Sequence, residues 1–128
     1  MTRRIQRKRT RGWRLPEGCV CVSRPSVFGN PWRLVDPVLP GDRERIVRTF
    51  ERWLRHDIYP SMSPPSTVNA LRPRRARLLA RLPELIGKDL ACFCPESAAH
   101  CHADVLLELA RDLARERQTR DDALRLGA

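Results

Sequence analysis

Three cysteines and a histidine in the last third of the chain have the residue types and spacing of a chemical site. Cys92 and Cys94 stand two positions apart, and Cys101 is followed directly by His102. Thiolate and imidazole groups are the ligands that structural zinc prefers, and the same groups act as nucleophile and general base in thiol enzymes. Both chemistries are therefore open for this segment.

The elements that carry these residues are predicted to be a buried strand and the helix after it. Residues 88–94 form a short apolar run typical of a strand, and apolar residues recur at helical spacing from Ala103 to about Arg117. On a strand, Cys92 and Cys94 would face the same side, with Cα atoms about 7 Å apart. Core packing alone also explains both cysteines, because cysteine is among the most buried residue types.

Cys101 and His102 fall at the beginning of the predicted helix. Unpaired backbone N–H groups and the helix dipole attract anions there, and they lower the pKa of a thiol. Cys101 is the candidate nucleophile, with His100 or His102 as general base. Asp104 is placed to orient a histidine or to cap the first turn. The same helix start is equally a candidate site for a phosphate group.

A metal ion is the alternative use of the same residues. Cys92, Cys94, Cys101 and His102 would together supply four soft ligands for zinc, although a Cys-x-Cys pair on a strand is an uncommon zinc pattern. Otherwise we expect no cofactor.

A second group of candidate residues follows another predicted strand, at residues 19–23. Ligands of open α/β sheets bind beyond the carboxyl ends of the strands, so this group is expected to face the cysteines. Asn30 is a candidate hydrogen-bond partner of a base or sugar, and Arg24 a candidate phosphate ligand. Trp32 would stack on a base or anchor the loop, and Gly29 would supply a positive φ in the turn.

The remaining patterns complete the predicted order of elements. Residues 3–9 are predicted to be an edge strand or a flexible basic arm. A helix is predicted from about Asp42, its N-cap, to Arg55. The proline-rich residues 60–73 are expected to form a loop, and a second helix is expected over residues 73–86, shortened by a proline in its last turn.

The order strand, strand, helix, helix, strand, helix predicts an α/β domain. We expect a small, mostly parallel sheet flanked by about three helices, in a Rossmann-like arrangement of two or three layers. The predicted boundaries are a basic N-terminal arm at residues 1–8, a single domain at residues 9–117, and a C-terminal tail at residues 118–128.

The composition of the chain limits the classes of partner that we expect. The chain of 128 residues is 41% hydrophobic and carries a formal net charge of +10, which favours nucleic acid or a nucleotide-like small molecule. Arginine supplies nearly all of this charge, as it also would in a protein from a GC-rich genome. Since the sequence has no apolar run near 20 residues and no secretory signal, we expect a cytoplasmic protein with reduced cysteines and no membrane partner. The oligomeric state stays open.

Three blocks of sequence resemble one known family. They are Arg-Thr-Arg-Gly-Trp-Arg-Leu-Pro at 9–16, Phe-Gly-Asn-Pro-Trp at 28–32, and Gly-Lys-Asp-Leu-Ala-Cys-Phe-Cys-Pro at 87–95 with Cys-His-Ala-Asp-Val-Leu at 101–106. From about Arg4 to Ala110 the chain is similar to the domain of unknown function 4326 family, small proteins found in actinobacteria and their phages among other hosts. His100 stands where that family often has proline. The resemblance implies an α/β domain without a settled activity.

The leading hypothesis combines these observations. The chain is expected to bind, and to act chemically on, a nucleotide-like or nucleic-acid-linked ligand at the Cys101-His102 turn. The alternative is a non-catalytic nucleic-acid-binding module stapled by zinc, whose basic arm lies along a phosphate backbone.

Overall fold

The structure is a computed structural model that describes residues 2–94 and 98–127. Pro95, which ends one of the family blocks, lies outside the described residues, as do Met1 of the predicted arm and Ala128 of the predicted tail. The elements in chain order are β1 (Arg4–Gln6), β2 (Cys19–Cys21), α1 (Asp42–His56), α2 (Pro65–Arg81), a 3₁₀ turn (Leu82–Leu85), β3 (Asp89–Cys92) and α3 (His102–Gly127). The predicted order of strands and helices is confirmed.

The three strands form one parallel sheet with the order β1-β3-β2, which confirms the predicted α/β class. β3 pairs with β1 through Ile5 opposite Ala91 and with β2 through Cys21, which also lies opposite Ala91. Leu90 and Ala91 are fully buried, whereas both edge strands are half-buried. An apolar strand that pairs on both sides is typical of a parallel sheet covered by helices. The domain boundaries at residues 8 and 117 remain a prediction.

The helices close one hydrophobic core around the sheet. α1 contributes Phe50, Trp53 and Leu54, which follow the predicted apolar face of that helix. Trp53 has no exposed surface, and its ring meets Trp32 edge to face with centroids 5.4 Å apart. α3 covers the same core with residues on one face of its first half, among them Leu106. The loop that carries Trp32 is therefore attached directly to the core.

The second helix begins earlier than the sequence predicts. The expectation of a loop through residues 60–73 is wrong, because α2 starts at Pro65 and contains Pro73. Pro65 stands in the first turn, where its missing N–H group and fixed φ are favourable. Pro73 leaves the carbonyl group of Asn69 without a helical partner, and Asn69 is exposed, so water can replace that hydrogen bond. The expected shortening by Pro83 is confirmed, since the α-helix gives way to the 3₁₀ turn at Leu82.

Three smaller expectations are also settled. Residues 4–6 are the edge strand β1, one of the two alternatives predicted for the basic segment. Asp42 is not the N-cap of α1, because Gly41 takes that position with φ of 85° and Asp42 begins the helix. The predicted end of the third helix at about Arg117 is wrong, because α3 continues to Gly127 with its last turns exposed. Within residues 2–94 and 98–127, no helix is long and apolar enough to cross a membrane.

We predict that Trp53→Ala lowers the free energy of unfolding by about 3–5 kcal/mol, because it empties the centre of the core and removes the contact with Trp32. Leu124→Ala, at an α3 residue that is 68% exposed, is the matched control and should change stability by less than about 0.5 kcal/mol. Urea denaturation followed by circular dichroism measures both. Equal effects of the two substitutions would contradict the assignment of Trp53 to the core.

Candidate functional site

The candidate site is a cavity of about 530 Å³ at the edge of the sheet where the strands end. Cys92 is the last residue of β3, Ser23 and Arg24 follow β2, and His102 begins α3. All four line the cavity. Because the strands are parallel, their carboxyl ends share one edge, and ligands of α/β sheets bind at this edge. A volume of this size suits a small-molecule ligand.

The cavity brings together most of the residues that the sequence singled out. The predicted site residues that line the cavity are Arg24, Asn30, Trp32, Cys92, Cys94, His100, Cys101 and His102. Two predicted residues do not line it. Asp104 lies in a neighbouring surface depression, and Gly29 lies beneath the turn.

The three cysteines form one cluster in the wall of the cavity. Cys92 Sγ lies 3.1 Å from Cys101 Sγ, and all three sulfur atoms, including that of Cys94, lie within 4.8 Å of one another. Cys92 and Cys101 are almost completely buried, whereas Cys94 is half-buried. The three cysteines are therefore close enough to hold a metal ion. Cys19 and Cys21 on β2 are not members of this group.

The hydrogen bonds within the cluster favour the thiolate form of Cys101 over those of Cys92 and Cys94. Hydrogen bonds from the thiols of Cys92 and Cys94 hold the pKa of Cys101 well below its ordinary range, and further hydrogen bonds from His102 and Arg4 add to this effect against the opposing effect of burial. The pKa values of Cys92 and Cys94 are raised, because each thiol gives its hydrogen bond to the Cys101 sulfur. Without a metal, Cys101 is thus the cysteine of the cluster whose thiolate form is favoured.

Two arginines flank the sulfur cluster. The Arg4 side chain is 9% exposed, and its Nη2 donates a hydrogen bond of 2.6 Å to the Ala98 carbonyl group. Arg43, in the first turn of α1, donates from Nη1 to Cys94 Sγ at 3.2 Å. Guanidinium groups stay charged at any physiological pH, so both arginines favour thiolate over thiol at the cluster.

The side chains of His102 and Asp104 contact groups outside the sulfur cluster, and His102 also hydrogen-bonds Cys101. His102 Nε2 lies 2.8 Å from the carbonyl oxygen of Val22, to which it donates, and its ring packs edge-on against Phe50. Asp104 pairs with Arg4 at 3.6 Å. Burial raises the pKa of Asp104, against the lowering effect of Arg4. The residues whose ligand atoms lie close enough together to hold a metal ion are the three cysteines, and His102 is not among them. The set of four ligands expected from the sequence is therefore reduced to three.

The turn at residues 29–30 is held by its own hydrogen bonds. Asn30 Oδ1 accepts from the backbone N–H of Trp32 at 2.9 Å, and its Nδ2 donates to the Ile46 carbonyl oxygen at 3.4 Å. Arg24 Nη1 donates to the Asn30 carbonyl oxygen at 2.9 Å. The Asn30 amide thus connects the loop to α1, and only its remaining hydrogen-bonding capacity faces a ligand.

Gly29 is required for space and not for its backbone angle. The expected positive φ is wrong, because the glycines with positive φ are at positions 12, 18, 41 and 87. A Cβ atom at Gly29 would lie 2.8 Å from Arg24 Cγ and 3.1 Å from the Ser26 carbonyl oxygen. Gly29 therefore lets the Arg24 side chain pack across the turn.

The sequence analysis missed three arginines of the cavity, Arg9, Arg33 and Arg43. Arg9 and Arg33 lie in loops and Arg43 in a helix, so no periodic pattern connects them. Sequence signals existed for Arg33, which directly follows the predicted ligand-binding residue Trp32, and for Arg9, which begins one of the family blocks. Phe93, between two of the cysteines, was also missed, and the guanidinium groups of Arg7 and Arg9 lie 4.8 and 4.3 Å from its ring centroid.

Fold and site together define a small parallel α/β domain with a cysteine-lined cavity at the carboxyl edge of its sheet. The family described as "Domain of unknown function (DUF4326)" matches residues 5–112, and the chain belongs to this family. This confirms the resemblance seen in the sequence blocks. Comparisons with curated proteins and with solved structures gave no match.

We predict that Gly29→Ala destabilises the fold by about 1–3 kcal/mol, because the added methyl group overlaps the Arg24 side chain and the Ser26 carbonyl oxygen. Gly127→Ala is the control, since a Cβ atom there meets nothing within 4 Å. Urea denaturation midpoints compare the two variants. A Gly29→Ala protein as stable as the Gly127→Ala protein would show that the turn yields without strain.

Proposed function

We propose that the cavity binds an anionic, nucleotide-like ligand, with the phosphate group held by arginines and the base against the apolar wall. The observation that supports this proposal is a concentration of positive charge without acidic partners. Arg9, Arg24, Arg33 and Arg43 line the cavity, and within the described residues none of them forms a salt bridge with a carboxylate.

The like charges around Arg24 explain why an anion would be favourable there. Burial lowers the pKa of Arg24, and the nearby charges of Arg33 and Arg74 lower it further. A phosphate group would relieve this repulsion and could accept two parallel hydrogen bonds from one guanidinium group. Cys101 and His102 add the positive end of the α3 dipole to the same wall.

The rest of the wall suits a flat ring. Trp32, Phe93, Ile46 and Val47 line the cavity beside the arginines. Aromatic side chains stack on bases with little dependence on base identity, and each such contact contributes about 1–3 kcal/mol. We assign Trp32 to this role, and Asn30 and His100 to polar contacts with the ring or sugar. Gly29 acts indirectly, through the position of Arg24.

Catalysis is a further part of the proposal and belongs to Cys101. Its thiolate would be the nucleophile, and His102, which donates from Nε2 to Val22, would exchange a proton with it through Nδ1. Asp104 would act only through its ion pair with Arg4. Metal binding would use the same sulfur as a ligand, so the metal measurement below separates the two chemistries.

We predict that adenosine 5′-monophosphate quenches tryptophan fluorescence saturably, because Trp32 lies in the cavity wall. Arg24→Gln and Arg33→Gln should each weaken this binding about tenfold or more, as expected for the loss of a charge-assisted hydrogen bond. Inorganic phosphate should compete, and added salt should weaken binding.

The control for this titration is Arg120→Gln, which removes an equal charge from the exposed end of α3, far along the helix from His102. If the affinity for adenosine 5′-monophosphate falls equally in all three variants, the net charge of the protein explains the loss and the proposed contacts of Arg24 and Arg33 are contradicted. A wild-type protein without saturable quenching would contradict the proposed ligand.

A second candidate function is zinc binding by Cys92, Cys94 and Cys101. The specific observation in its favour is the spacing of the three sulfur atoms, from 3.1 Å to at most 4.8 Å. With Zn–S bonds of about 2.3 Å, tetrahedral sulfur ligands lie about 3.8 Å apart, in the middle of this range. Zinc would replace the remaining thiol protons, and Arg4 and Arg43 would balance the added thiolate charge.

We predict one equivalent of zinc in protein purified without chelator, measured by plasma mass spectrometry. Cys94→Ser should lose the metal, because two thiolates and a hydroxyl group bind zinc weakly. Cys19→Ser, the substitution of another half-buried cysteine, should retain it. Wild-type protein that contains no zinc, and in which all three cysteines of the cluster react with a thiol reagent, would reject this candidate. Cys101 would then be free to act as a thiolate.

A further inference from the structure

The cysteine cluster supplies fewer ligands than a closed zinc site needs. Structural zinc sites have four protein ligands, whereas sites that act on ligands keep one position open. Within residues 2–94 and 98–127, the cluster around Cys92, Cys94 and Cys101 contains three ligand atoms. His102 hydrogen-bonds Cys101 but is not a member of this group, and its Nε2 is occupied by the hydrogen bond of 2.8 Å to Val22.

The two sides of the sulfur triangle differ in what they face. Cys92, Cys94 and Cys101 all line the cavity, which is therefore open to a fourth ligand. Arg4, whose side chain is 9% exposed, contacts Cys101 but is not among the lining residues. Since all three sulfurs line the cavity, the space for an ion and for its fourth ligand is on the cavity side.

We propose that the metal at this cluster is a cavity-facing ion with three thiolate ligands and one exchangeable position. This inference rests on the second candidate function, zinc binding, and adds that the ion contacts the ligand of the cavity. Three thiolates and Zn²⁺ carry a net charge of −1, so the fourth position favours a neutral donor over a second anion. The matching ligand class is a ring with an unprotonated nitrogen, joined to a phosphate group that the arginines hold.

The relative placement of the two binding groups supports a single ligand. Arg43 lines the cavity and also donates to Cys94 Sγ at 3.2 Å, so one guanidinium group connects the positive wall to the sulfur cluster. Trp32 and Phe93 line the same space. A heterocycle stacked there would direct a ring nitrogen toward the ion while its phosphate group stays among the arginines.

Cobalt substitution of the full-length protein tests the open position directly. Co²⁺ bound by thiolates shows visible ligand-field and charge-transfer bands that respond to a change of any ligand. We expect imidazole, used as a neutral nitrogen donor, to shift these bands saturably with one equivalent at the end point. Adenosine 5′-monophosphate should shift them too and should reduce the effect of imidazole.

Three variants decide which ligands the ion has. His102→Gln should keep one equivalent of cobalt and Cys94→Ser should lose it, since only Cys94 is a ligand in this proposal, and Cys19→Ser should bind cobalt as the wild type does. Zinc-edge X-ray absorption should count three sulfur ligands and one nitrogen or oxygen ligand. Bands that do not respond to imidazole, or a His102→Gln protein that no longer binds cobalt, would show a closed site and overturn the proposal.

The outcomes also separate this inference from the functions on which it builds. A protein that binds no cobalt or zinc overturns the open position together with the zinc candidate. A bound ion with a closed coordination shell overturns the open position alone. Quenching by adenosine 5′-monophosphate in metal-free protein tests the anionic pocket independently of both.

Discussion

The pairing of β3 on both of its sides is the constraint on which the site depends. A strand between two parallel neighbours has no free edge, and the burial of the successive residues Leu90 and Ala91 shows that both of its faces are covered. The strand must then end at the edge that it shares with β1 and β2. Cys92 stands at that end, and the return of the chain into α3 places Cys101 with its sulfur 3.1 Å away. The cysteine cluster is thus a consequence of the sheet topology.

The pattern of apolar residues predicted the order of elements, because each element buries a face that its own period reveals. It failed where local signals conflict. Prolines suggested a loop up to Pro73, yet Leu71 and Leu78 lie two helical turns apart and pack on the core, so the helix that carries both is favoured despite Pro73. The end of α3 was missed for the opposite reason. Its last turns are exposed, and charged residues at helical spacing leave no apolar period to detect.

The site could be predicted in part because parallel strands end together. That rule connected Asn30 and Trp32 to Cys101 although they are distant in sequence, and the cavity contains all three. It could not give the direction of a side chain. His102 is turned to the Val22 carbonyl group by a hydrogen bond that only the folded chain forms. Arg43 enters the cavity because α1 packs with its first turn over Cys94, which is a tertiary fact without a local pattern.

The arginines of the site fall into two sets: those that contact the cysteine cluster and those that would be available to a ligand. Without a metal the hydrogen bonds of the cluster favour a thiolate at Cys101, and with Zn²⁺ and three thiolates the cluster would carry −1. Arg4 and Arg43, which contact the sulfurs, therefore match the cluster in either state. Within the described residues, Arg24 and Arg33 have no such partner. The charges of Arg33 and Arg74 instead lower the pKa of Arg24. Because Arg4 and Arg43 are the arginines that contact the cluster, the charges of Arg24 and Arg33 would be left for the anionic ligand that we propose.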